Sequence, residues 1–211
     1  MKTDSLIDWL AQSAGPAPRA VAARRLSPAA VAGLGFSIAA ALAGFGMIPA
    51  AMFGTMVPWM KLAYAGALAL AAGWLTARLC RPAASCRRAS AMTMAIVAAM
   101  GGVGLVSLAA LPADARTGAL LGQSWLSCPW RVLVLSLPGL AAALWAARGL
   151  APTNPRAAGF AAGLFAGSMG AVGYSLACPE ASPAFVAVWY SLGIAFTGAV
   201  GAVLGPRVLR W

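Results

Sequence analysis

Histidine is absent from the 211 residues, and only Asp4, Asp8, Asp114 and Glu180 are acidic. Without histidine the chain cannot by itself build a Ser-His protease, a His-ligated haem or a His-containing metal centre. Four scattered acids leave no paired carboxylates for general acid–base work, and phosphate-binding loops and zincin motifs are missing as well. Charge of either sign is scarce, 9% of residues against roughly a quarter in soluble domains. The hydrophobic share is 62% and the mean hydropathy +0.83, which marks a polytopic membrane protein.

A spanning helix needs about 20 apolar residues. Six runs qualify, near 30–50, 60–79, 90–111, 131–147, 158–177 and 184–205, the fourth being the shortest. The expected fold class is therefore all-α, with six transmembrane helices. None of these runs carries an ionisable residue away from its ends, which argues against a coupled transporter. No cleavable signal peptide is visible, since Asp4 and Asp8 occupy what would be a basic leader region.

Orientation follows from the 15 basic residues. With the N-terminus inside, Lys2, Arg19, Arg24, Arg25, Arg78, Arg81, Arg87, Arg88, Arg148, Arg156, Arg207 and Arg210 are cytoplasmic, and only Lys61, Arg116 and Arg131 lie outside. Such asymmetry places both termini in the cytoplasm. The net charge of +11 then reports topology and attraction to anionic lipid. It is no footprint for direct nucleic-acid binding, which needs a basic face on a folded domain.

Two parts are expected: a cytoplasmic tail over 1–28 and a six-helix domain over 29–211. Residues 3–14 read as a short amphipathic helix with Leu6, Ile7 and Leu10 on one face. Gly15-Pro16-Ala17-Pro18 breaks it, and Ser27-Pro28 caps the first span. The stretch reads as a frayed tail, as a segment lying on the membrane surface, or as a partner-binding helix, and the polar face carrying Asp4 and Asp8 where a membrane-surface helix carries lysine and arginine favours the partner. Further on, Trp59, Lys61 and Tyr64 read as an interfacial anchor, and Gly159, Gly163 and Gly167 as a smooth ridge for close helix packing. Cys80 and Cys86 match no zinc spacing and read as ordinary thiols.

The distinctive feature is a pair of similar steps, Leu126-Ser127-Cys128-Pro129 and Leu176-Ala177-Cys178-Pro179, each preceding an apolar run. Proline suits the first helical position, which puts each cysteine at an N-cap, where the helix dipole favours a thiolate. The separation of 50 residues returns both to one membrane face. Arg131 should favour the Cys128 thiolate and Glu180 disfavour that of Cys178, making Cys128 the attacking sulfur. Three readings stay open: a disulfide staple, a switch driven by oxidation or by soft ions such as Cu(I), Hg(II) or Cd(II), and a thiol oxidoreductase. No cofactor is expected.

Met1-Lys2-Thr3-Asp4 with Leu6-Ile7, Ser124-Trp125 with Cys128-Pro129, Arg148 to Thr153, Cys178-Pro179-Glu180 and Phe185 to Tyr190 together resemble the NrsF family. Its members are six-span inner-membrane anti-sigma factors of Gram-negative bacteria. They restrain sigma F and similar extracytoplasmic-function sigma factors. The resemblance covers nearly the whole chain and implies a non-enzymatic regulator that releases its sigma factor under heavy-metal or oxidative stress. Joined to the residue reading, it assigns sensing to Cys128 and Cys178, which are also the candidate ligands for heavy-metal ions. Sigma binding falls to Asp4, Leu6, Ile7 and Leu10, with the loop around Arg87. Many members carry a histidine just before the second cysteine; Ala177 stands there, which favours redox sensing over a defined metal site.

Overall fold

A computed structural model describes residues 3–13, 21–81, 84–150 and 152–210. Lys2, the break at residues 15–18, Arg19 and the Met1 and Ala151 positions of the family motifs lie outside the described residues. The described chain is helical with no strand: α1 Thr3–Ser13, α2 Val21–Phe45, α3 Met56–Leu79, α4 Arg87–Ala109, α5 Ala113–Leu121, α6 Cys128–Arg148, α7 Pro155–Ser175 and α8 Pro183–Val208. All but α1 and α5 are long and apolar enough to cross a membrane, as the composition predicts.

The helix ends differ from expectation where packing intervenes. Helix α2 runs through Ser27-Pro28 and begins at Val21, because Leu26 and Ala29 bury against Ala146 of α6 and hold the earlier turns in register. It stops at Gly46, whose φ of 76° suits a residue without Cβ. Helix α6 is a full 21 residues, longer than the apolar run within it.

Helix α7 forms the centre of the bundle, with 78% of its apolar window enclosed against 17% for α4 on the flank. Its glycines make this possible. A Cβ on Gly159 or Gly163 would run into the backbone carbonyl of Gly201 or Thr197 on α8, and one on Gly167 would lie 3.0 Å from Ile194 Cα. The predicted ridge therefore packs backbone against backbone, where dispersion drives helix association in lipid. On another side of α7, Ser37 of α2 donates its hydroxyl to the Met169 carbonyl at 3.1 Å.

The helices alternate in direction. At one end meet the end of α2 and the starts of α3, α6 and α8: Phe45 stacks edge-on to Tyr174 at 6.0 Å, and Ile48 N–H donates to the Leu176 carbonyl at 3.0 Å. The opposite end carries Arg24, Arg25, Arg78, Arg81, Arg87, Arg88, Arg148, Arg156, Arg207 and Arg210. Described basic residues thus segregate as the charge asymmetry predicts.

Candidate functional site

At the arginine-poor end, Cys128 and Cys178 share one buried cluster with Tyr64, Tyr174, Phe185, Val186 and Tyr190. Both cysteines are 0% exposed, and both are free thiols. Bringing them together follows the sequence expectation; their places on the helices do not. Cys128 is the first residue of α6 rather than its cap, and the cap is Ser127. Cys178 does not start a helix at all. Its N–H donates to Tyr174 O at 2.9 Å, so it closes the end of α7, and α8 starts five residues later at Ser182-Pro183, where the serine hydroxyl accepts from Phe185 N–H at 3.4 Å. Two Ser/Cys-Pro steps compete here, and the serine supplies the stronger cap.

A lysine completes the cluster. Lys61, expected at the lipid interface, is 0% exposed and donates its ammonium to the Cys178 carbonyl at 2.8 Å. Tyr64, its expected companion at the interface, is buried too, and its hydroxyl lies 2.6 Å from that of Ser191. Only Trp59 of that trio stays exposed. Burial of Lys61 is tolerated because α3 starts near the cysteine end, where the Cys178 carbonyl, just past the end of α7, accepts a hydrogen bond from it. Intramembrane charges of this kind mark functional positions.

Arg131 makes its direct contacts with α7 and α2. Its guanidinium donates to the Tyr174 hydroxyl at 3.3 Å and lies 4.7 Å over the Phe45 ring, so it braces α7 and α2 against α6. With both thiols shut from solvent, Cys128 is not an exposed nucleophile in this state. Tyr190 closes the cluster from α8, projected inward by a π-helical turn over Val186–Tyr190. Its hydroxyl is fully buried beside Cys178. Such turns recur at functional sites because they re-aim a side chain within a helix.

Glu180 clasps the two cysteine segments. One carboxylate oxygen accepts from Gln123 N–H at 2.8 Å, Ser124 N–H at 3.0 Å and Ser124 Oγ at 3.0 Å. The strand of chain before Cys128 is thereby tied to the one after Cys178. Gly122, with φ 56°, allows it, since a Cβ there would strike the same carboxylate. Helix α5 is held over this end by Trp189, which donates its indole N–H to Leu120 O at 2.8 Å and packs on Trp125 at 5.4 Å.

Among the described residues no three His, Cys, Asp or Glu side chains converge on a metal position. Cys80 and Cys86 sit at the arginine-rich end, Cys80 buried and Cys86 half-buried. Burial pushes the Cys80 thiol up to about 11. Lys61, Tyr174 and Tyr190 are the site residues that sequence reading missed. One signal was available: Lys61 is the only lysine outside the tail, in a stretch from Gly46 to Ala77 that has no other charge.

The expected sigma-binding residues lie elsewhere, on α1. Residues 3–12 are all exposed, with Leu6 at 40%, Ile7 at 58% and Leu10 at 53%, and Trp9 beside them at 68%. Asp4 and Asp8 stand on the same short helix.

A family profile described as negative regulator of sigma F matches residues 10–211. The anti-sigma-F factor NrsF of Caulobacter vibrioides is 44% identical over the full length of both chains. A probable anti-sigma-F factor NrsF of Azospira oryzae is 36% identical, again over both full lengths. No solved structure matches the chain.

Proposed function

The chain belongs to the NrsF family, making it a membrane-embedded anti-sigma factor and not an enzyme, and from that premise we propose how it holds and releases its partner. It sits in the bacterial inner membrane with both termini in the cytoplasm. The partner is an extracytoplasmic-function sigma factor of the sigma F type. Helix α1 docks into a groove on it, with Leu6, Ile7 and Leu10 as apolar anchors and Asp4 at the polar edge, assisted by the loop around Arg87. The observation that supports this reading is the exposure of the α1 anchors, whose partner-free form would be marginal for a helix of 11 residues.

Cys128 and Cys178 receive the signal on the periplasmic side. Oxidation is the favoured signal, because Ala177 stands where many family members carry a histidine, leaving the two sulfurs without that ligand beside them. Joining the thiols as a disulfide releases two protons and passes two electrons to the stress oxidant. Since both thiols are fully enclosed, the cover formed by α5 and residues 122–127 must open first. The starts of α3, α6 and α8 all lead from this site to the other side, so displacement there is carried along rigid helices to the partner face. A swing from about 99% to about 1% sigma bound needs roughly 5.5 kcal/mol of differential stability. A disulfide contributes about 2–4 kcal/mol, so partial release is expected.

Two variants test the two halves. Leu6→Ala with Leu10→Ala should abolish co-purification of the sigma factor while membrane insertion stays intact; unchanged retention would remove α1 from the mechanism. Cys128→Ser and Cys178→Ser should each abolish release on oxidant or cadmium challenge. A normal response from both would reduce the pair to packing.

A further inference from the structure

At the arginine-rich end, a cavity of about 810 Å³ opens between the start of α2 and the end of α6. Arg24, Arg25, Arg148 and Arg210 line it together with Pro28 and Trp145, and among the described residues no carboxylate does. None of these four arginines has an ion-pair partner among the described residues. Two of them stand where a helix tolerates them least: Arg24 and Arg25 occupy the first turns of α2, beside the positive end of its dipole, with no acidic residue in that turn. Arg25 is also pressed against Gly149, the cap of α6, where a Cβ would collide with its guanidinium. The charges are thus gathered by packing, in a place where only an anion relieves them.

The flank of the cavity identifies the anion's carrier. Trp145, which lines it, is 78% exposed on the bilayer-facing side of α6. An occupant that places a phosphate among the guanidiniums therefore has an apolar surface beside it for acyl chains. Arginine forks match phosphate oxygens two at a time, and basic recesses between spanning helices favour anionic headgroups. We propose that this cavity binds the phosphodiester headgroup of an anionic phospholipid, fastening α2 to α6 at their cytoplasmic ends.

The test uses the full-length protein, stripped of lipid in detergent and then supplied with cardiolipin or phosphatidylglycerol, with native mass spectrometry counting retained lipid. Arg24→Gln, Arg25→Gln and Arg148→Gln combined should lower retention at least tenfold. Arg156→Gln with Arg207→Gln, in the second basic recess near the end of α8, should leave it unchanged. On the wild-type chain, cardiolipin should protect Arg24, Arg25 and Arg148 from phenylglyoxal while Arg87 and Arg88 stay reactive, a readout that needs no variant to fold. Equal loss in both variant sets, or uniform protection of all arginines, would reduce the effect to bulk charge and overturn the proposal. Displacement of bound lipid by inorganic phosphate would overturn it in favour of a free-anion site. Protection by an acidic protein, with none by lipid vesicles, would overturn it in favour of a partner surface.

Discussion

Replacing Glu180 should open the cysteine site. Its one carboxylate oxygen accepts three hydrogen bonds, two from backbone N–H groups that have to find water once it is gone. A hydrogen bond to a charged group contributes about 1.5–3 kcal/mol, but three on one oxygen of a half-buried residue do not add, and water replaces part of each. A net loss of about 2–3 kcal/mol for Glu180→Ala is the reasonable sum. If the cover over Cys128 and Cys178 opens by releasing this clasp, its open population rises by roughly 30- to 150-fold. Ser124→Ala removes one neutral donor and should raise it only about fivefold, from about 1 kcal/mol. The assay is maleimide labelling of the detergent-solubilised protein in a Cys80→Ser, Cys86→Ser background, quenched at intervals and mapped by mass spectrometry. Labelling of Glu180→Ala within twofold of wild type would refute the clasp. So would wild-type labelling as fast as that of the denatured chain.

Two further outcomes follow from packing and burial. Gly163→Val drives a Cβ into the Thr197 carbonyl at the α7–α8 contact and should destabilise by about 2–3 kcal/mol in thermal unfolding, whereas Gly102→Ala, with open space around it, should be neutral or mildly stabilising. The Cys80 thiol, raised from its ordinary 9.0 to about 11, is about one part in a thousand thiolate at pH 8, so Cys86 should be alkylated long before it. Because the unfolded thiol ionises first, this group lowers stability as pH climbs from 9.0 through 11 and contributes nothing below that window. Denaturation of a Cys80→Ala variant that shows the same alkaline decline would assign it to another group.

Much of the fold is legible in the chain itself. Hydropathy has a long period and no competing signal in a chain with 9% charge, so six spans followed directly. The glycine ridge of α7 was readable because Gly159, Gly163 and Gly167 repeat on one helical face. Exact helix starts were not. Pro28 reads as a cap, yet burial of Leu26 against α6 carries the helix past it, and proline inside a packed membrane helix costs less than in water. Cys178-Pro179 was read as a helix start, yet Ser182-Pro183 is the better cap four residues on.

By itself the sequence determined the membrane class, the segregation of arginine to one end, the pairing of two cysteines at the other and the family, because each rests on composition, spacing or similarity along the chain. Only the tertiary structure decided that Lys61 enters the cysteine cluster, that Glu180 ties its two segments, and that four arginines from three helix ends surround one cavity. A lysine one turn inside a span reads as an anchor until a carbonyl 117 positions away accepts a hydrogen bond from it. Contacts of that range leave no periodic trace, since they depend on which helix faces the three-dimensional packing turns toward each other.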